Sequence, residues 1–133
     1  MKIKRVVIFT DGAAIPNPGP AAIGAAIRDE QGRLITTISQ SIGRATNNQA
    51  EYKAIIAALE HAISLGASQV DMRSDSELVV RQINGQYRVK KASLKPLYQQ
   101  VKHLQSQLEG FTITRIPRQQ NMEADSLANM ALE

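Results

Sequence analysis

A chain of 133 residues, 43% of them hydrophobic, is long enough to bury a core without staples, and the absence of cysteine excludes disulfides, thiol catalysis and the usual structural zinc sites. Sixteen Lys and Arg against twelve Asp and Glu leave a net charge of +4, which suits a polyanionic partner without identifying one. No charged-then-apolar leader opens the sequence and no apolar run approaches the roughly 20 residues of a membrane span, so residues 1–133 are expected to form a single soluble, cytoplasmic domain.

In chain order, Lys4 to Asp11 reads as the first strand: Val6 to Phe9 are apolar in a row, the mark of a strand covered on both faces. Asp11 shares the side-chain parity of Val7 and Phe9, which places a carboxylate at the rim of the core. Gly12 to Pro20 holds three prolines and two glycines and is expected to be a rigid loop. Ala22 to Asp29 alternates Ile23, Ala25 and Ile27 on one face, and Leu34 to Ile42 is a second β-rich run, with Glu30-Gln31-Gly32 as the turn. These segments predict an antiparallel meander of three strands.

Thr46 and Gln49 stand at the spacing of a capping box, so a helix is expected from there to about Leu65, stopped by Gly66. Its core face carries Ile55, Ala58, Leu59 and Ala62. Glu51 falls on that same face, because spacings of four, seven and eleven residues return to within roughly 40° on a helix. A short strand follows at Gln69 to Ser74, with Asp75 directly after it. Ser76 to Asn84 reads as a helix ended by Gly85, Gln86 to Ala92 as a basic loop with Arg88, Lys90 and Lys91, and Ser93 to Gly110 as a third helix with Pro96 in its first turn. Phe111 to Ile116 is the last strand, Pro117 to Gln120 a loop, and a terminal helix begins at Asn121. The order predicts an α/β fold, a mixed sheet with helices packed on it.

Taken singly, three acids have ordinary explanations. Asp11 can start a turn, Asp75 can favour a helix N-terminus beside a Ser74 to Glu77 capping box, and Asp125 can face solvent. Glu51 is different, since a glutamate within an apolar helix face must pair with a cation or take up a proton. Together the four point to chemistry. Asp11 and Asp75 end strands that, if parallel, deliver both to the ligand-binding end of an open sheet, and Glu51 projects toward it. A self-repelling carboxylate cluster suits hard divalent cations, magnesium first and manganese second. His61 and His103 lie in separate helices with no ligand spacing, and neither a serine or cysteine nucleophile motif nor a P-loop is present.

Four motifs in order, Asp-Gly-Ala-Ala with Asn-Pro-Gly-Pro (Asp11 to Pro20), Thr-Asn-Asn-Gln-Ala-Glu-Tyr (Thr46 to Tyr52), Ser-Asp-Ser-Glu-Leu-Val-Val-Arg-Gln-Ile-Asn-Gly (Ser74 to Gly85) and Asn-Met-Glu-Ala-Asp-Ser-Leu-Ala (Asn121 to Ala128), resemble type 1 ribonuclease H over essentially the whole chain. The resemblance implies a five-stranded mixed sheet, its first three strands antiparallel, flanked by helices. It implies endonucleolytic cleavage of the RNA strand of RNA/DNA hybrids by a two-metal-ion mechanism, with Asp11, Glu51, Asp75 and Asp125 as metal ligands and Asp11 bridging. The products would be a 5′ phosphate and a 3′ hydroxyl. Asn17, Asn47 and Asn48 match positions that contact the hybrid in its minor groove, and Arg44 and Thr46 positions that hold a DNA phosphate. No feature points to an obligate protein partner.

The sequence departs from the family pattern twice. Many relatives carry an extra basic helix and loop that grips the hybrid, whereas Gln86 to Ala92 is short, as in the subgroup lacking this basic protrusion. Many also have a histidine in the loop before the last aspartate, where this chain has Pro117-Arg118-Gln119-Gln120, making Arg118 a candidate phosphate contact. The competing expectations are a catalytically weak hybrid-binding module and a receiver-like signalling domain; the antiparallel meander opposes the second.

Overall fold

The computed structural model describes residues 3–133, so the first two residues of the expected domain lie outside the description. Strands β1 (Arg5–Ala14), β2 (Gly19–Arg28) and β3 (Leu34–Ala45) form the antiparallel meander. The turn between β2 and β3 is fastened by Asp29, whose Oδ1 accepts from the N–H groups of Gln31 and Arg33. Helix α1 (Asn47–Ser64) then crosses to β4 (Gln69–Ser74), which pairs with β1 in parallel. Helices α2 (Glu77–Ile83) and α3 (Lys95–Gln105) lead to β5 (Gly110–Arg115), parallel to β4, and a 3-10 turn at Arg118–Gln120 precedes α4 (Met122–Leu132). The sheet order is β3-β2-β1-β4-β5, the five-stranded mixed sheet expected, and no described helix is long and apolar enough to cross a membrane.

The first three helices share one face of the sheet. Ile55, Leu59 and Tyr52 of α1, Val79 and Ile83 of α2 and Val101 of α3 bury against Val6, Ile8, Ile27 and Met72. Each fully buried aliphatic side chain contributes about 1.5–3 kcal/mol of transfer free energy. Helix α4 lies on the opposite face, over β1 to β3, where Gly24 lets it come close: a Cβ there would run into the backbone of Ala124 and Ala128. Both capping signals in α1 hold, with the Thr46–Gln49 box formed and Gly66 at φ +89° after the C-terminus.

Four local expectations need correction. Strand β1 does not end at Asp11: cross-strand pairing with β2 carries it to Ala14, opposite Ala21, and only 15–18 remain as loop. Its second face is only partly covered, since Val7 and Phe9 are half-buried while Val6 and Ile8 are fully buried. Helix α2 is capped by the Ser76 side chain, which accepts from Val79 N–H; the Ser74 hydroxyl accepts instead from Ser76 N–H, so the Ser74–Glu77 box does not form. Helix α3 stops at Gln105 rather than Gly110, because Ser68 C=O accepts from both Glu109 and Gly110 N–H and draws that segment into register with β4.

Candidate active site

The site is built where β1 outruns its neighbour. Pairing of β4 with β1 ends at Thr10 opposite Ser74, while β1 continues beside β2 for four more residues, Asp11 to Ala14. Asp75 leaves β4 at that point, and the first turns of α1 pack against the overhang. Glycine at position 12 is what permits this approach, since a Cβ there would collide with the backbone of Ala50 and Glu51. The Gly12 N–H donates to Glu51 Oε1 at 2.7 Å, which aims the glutamate at the end of the strand. On the other face, Gly24 sits opposite Asp11 in β2 and admits α4, the carrier of Asp125.

Asp11, Glu51, Asp75 and Asp125 therefore line one open cleft of about 430 Å³. One carboxylate oxygen from each of Asp11, Glu51 and Asp75 lies within 4.8 Å of the others. Asp11 and Glu51 are only 6% and 8% exposed. Burial, then the charge of Asp75 and the hydrogen bond and charge of Asp125, push the Asp11 carboxyl up to about 8, with Arg118 opposing. Burial, followed by the charges of Asp11 and Asp75, raises Glu51 well above its usual range against the pull of the Gly12 N–H. A cluster whose members resist ionising together is relieved by a cation. The donor set is all oxygen, with no histidine or thiolate, which fits a hard divalent ion.

Of the remaining sequence candidates, Asn47, Asn48 and Arg118 line this cleft, while Asn17, Arg44 and Thr46 do not. Asn47 Oδ1 accepts from Ala14 N–H at 2.7 Å and Asn17 Oδ1 from Asn47 N–H at 3.0 Å, tying the β1–β2 loop to the start of α1. Those bonds fix the orientation of both amides and, among the described residues, leave each NH2 group as a donor without an acceptor. Thr46 commits its oxygen to the helix cap and keeps its O–H as a donor, beside a neighbouring hollow shared with Asn17, Lys91 and Ser93. Arg44 is exposed near the end of β3 and does not line either hollow. Arg118 stands at the rim, 73% exposed, with Nη2 3.6 Å from Asp125 Oδ1.

Sequence reasoning missed three residues. Asn129 Nδ2 reaches Asp125 Oδ2 at 3.4 Å, a contact its four-residue helical spacing would have flagged. Arg115 lines the cleft because β5 pairs it with Ser74, a relationship no local pattern reveals. Asn121, 1% exposed, donates from Nδ2 to Thr10 C=O at 2.8 Å.

A family model described as reverse transcriptase-like matches residues 9–131. The Ribonuclease HI of Halobacterium salinarum is 41% identical over 129 residues, covering 97% of this chain and 65% of the relative. Among solved structures, the N-terminal RNase H domain of Rv2228c from Mycobacterium tuberculosis superposes with a TM-score of 0.94 at 42% identity, covering 97% of this chain and 99% of that one. LC11-RNase H1 in complex with an RNA/DNA hybrid gives a TM-score of 0.92 at 42% identity, covering 96% of each. The chain spans 65% of the length of the Halobacterium protein and 36% of the whole mycobacterial one, less than two thirds of each.

Proposed function

The chain belongs to the type 1 ribonuclease H family, and from that premise we propose that it is a metal-dependent endonuclease that hydrolyses the RNA strand of RNA/DNA hybrids, with residues 1–133 acting as one domain. The observation that carries this reading is the convergence of four carboxylates, delivered by β1, α1, the end of β4 and α4, on one open cleft. The absence of cysteine suits a reducing cytoplasm, where we place the activity.

Two magnesium ions, with manganese as a substitute, fit the all-oxygen donor set: Asp11 would be shared, Glu51 and Asp75 would complete one position and Asp125 the other. Bound there, they would supply activation of the attacking water and stabilisation of the departing 3′ oxygen in an in-line displacement at phosphorus, leaving a 5′ phosphate and a 3′ hydroxyl. The chain's own residues hold and orient. Asp11 and Glu51 are fixed by strand and helix backbone, not by loops, which keeps the ligands in place before the substrate arrives.

The NH2 groups of Asn47 and Asn48 at the cleft, and of Asn17 at the adjoining hollow, are donors that suit the 2′-hydroxyl and base-edge acceptors of a minor groove. Arg44 and the Thr46 hydroxyl contact phosphate of the DNA strand, and Arg118 holds phosphate beside the cut. The exposed Arg88, Lys90 and Lys91 supply a diffuse attraction in place of a larger basic protrusion.

The test is a hybrid labelled on its RNA strand, incubated with magnesium or with chelator, comparing the wild type with Asp11→Asn. Metal-dependent cutting of the RNA strand alone, lost in the variant, is the expected result. Intact hybrid binding without cutting in either magnesium or manganese would refute the enzyme and leave a hybrid-binding module.

A further inference from the structure

Asparagine at the position that opens a helix ordinarily turns its side-chain oxygen onto a first-turn N–H, a cap that contributes about 1 kcal/mol. Asn121 occupies that position in α4 and makes no such bond. Its Nδ2 points away from the helix and donates to the Thr10 carbonyl at 2.8 Å, across 111 positions of sequence. Its Oδ1 is buried with no partner among the described residues. Leaving a carbonyl oxygen buried and unbonded costs on the order of 1–3 kcal/mol. Helix stability alone does not account for this side-chain pose.

The location of the bond supplies the account. Thr10 immediately precedes Asp11, and Asn121 C=O accepts from Asp125 N–H at 3.1 Å, so Asp125 stands one helical turn from the tie. One hydrogen bond thus joins the strand that carries Asp11 to the helix that carries Asp125, close to both carboxylates. Elsewhere α4 packs closely on Gly24 through Ala124, Leu127 and Ala128, and it is tied to β2 and β3 by Arg28 on Glu123 and by the Ser39 hydroxyl on the Leu127 carbonyl. None of those residues lines the cleft, whereas the Asn121 amide ties α4 to β1 at the residue before Asp11.

We propose that Asn121 is a positioning residue of the metal centre: its amide locks the rotation and axial position of α4 against β1, so that Asp125 meets Asp11 at a distance where both can grip cations. This rests on the nuclease reading for the identity of the site. The amide acts through the placement of Asp125 and does not itself touch an ion. Removing it leaves all four carboxylates present and one of them misplaced.

Two variants separate placement from stability. Asn121→Ser retains a side chain that can cap α4 and loses the tie to Thr10, whereas Asn121→Ala loses both. Manganese binding is followed by electron paramagnetic resonance, on the free chain and on the chain holding a hybrid whose RNA strand is 2′-O-methylated against cutting. Thermal unfolding and the kinetics of hybrid cleavage accompany it. Both variants are expected to weaken manganese binding by about tenfold or more. Both should lower kcat with little change in KM, and part of kcat should return at high manganese. Asn121→Ser should nevertheless unfold at or near the wild-type temperature. Wild-type manganese affinity and kcat in Asn121→Ser would overturn the proposal, and so would failure of Asn121→Ser to fold, because the tie would then serve the fold. A wild-type chain that binds manganese and leaves hybrid uncut overturns the nuclease reading alone, and the titration still decides the role of Asn121.

Discussion

Gly12 and Glu51 are joined twice: the glycine N–H donates to the glutamate Oε1 at 2.7 Å, and the bare glycine Cα lets the backbone of Ala50 and Glu51 come within contact of β1. The glutamate is therefore placed by the absence of a methyl group. Gly12→Ala forces α1 away from the strand, and overpacking against backbone has no flexible neighbour to absorb it. The expected loss is on the order of 3 kcal/mol or more in urea unfolding, with metal-dependent activity lost as well. A variant within about 0.5 kcal/mol of wild type would show that the approach is looser than described.

The elevated carboxyls predict an unusual pH response in chelator. A carboxyl whose pKa is higher in the folded chain stabilises the fold in its protonated form. That contribution is complete below the unfolded value and disappears as pH rises through the folded one, which for Asp11 sets a window from 3.8 to about 8. The metal-free wild type should lose stability relative to Asp11→Asn across this window, and magnesium should close the gap at its upper end. Parallel stability curves for the two proteins in chelator would contradict the buried, mutually repelling arrangement.

A buried polar pair away from the cleft gives a control. The Tyr52 hydroxyl donates to Gln82 Oε1 at 2.8 Å, between α1 and α2. Tyr52→Phe leaves the Gln82 oxygen without that donor and should cost about 1–2 kcal/mol in denaturant unfolding. Manganese affinity and kcat should not move, since neither residue lines the cleft. A fall in kcat larger than the loss of folded protein would link the helix interface to the site.

Arg118 is expected to separate binding from stability. Its guanidinium is 73% exposed and 3.6 Å from Asp125, a geometry that contributes little to folding. Arg118→Ala should stay within about 0.5 kcal/mol of wild type. If the arginine holds one phosphate, the salt dependence of hybrid binding should become shallower by about 0.9 in log–log slope. An unchanged slope would remove Arg118 from the substrate contacts.

What the sequence disclosed followed from local rules. The Thr46–Gln49 box, the C-terminal glycines 66 and 85 and the apolar stripe of α1 are short-range signals, and each lies where expected. Glu51 was legible because a charge on an apolar face contradicts its surroundings. The overhang of β1 was not, because three prolines and two glycines mask a strand that is held by its partner, not by its own propensity. The end of α3 was missed for a related reason: Gly110 resembles a helix stop and is the first residue of β5. Asn121 read only as the start of the terminal helix, and its partner is a carbonyl at the far end of the chain.

The scattering of Asp11, Glu51, Asp75 and Asp125 over four elements has a kinetic consequence. No stretch of unfolded chain gathers these acids, and no cation has a nest to enter until β1, α1, β4 and α4 have docked. A divalent ion should accordingly leave the refolding rate alone and lengthen the lifetime of the folded state, appearing only on the unfolding limb of the chevron. The ion that serves the chemistry would also act as a latch, closed last and opened first, on the helix that brings Asp125.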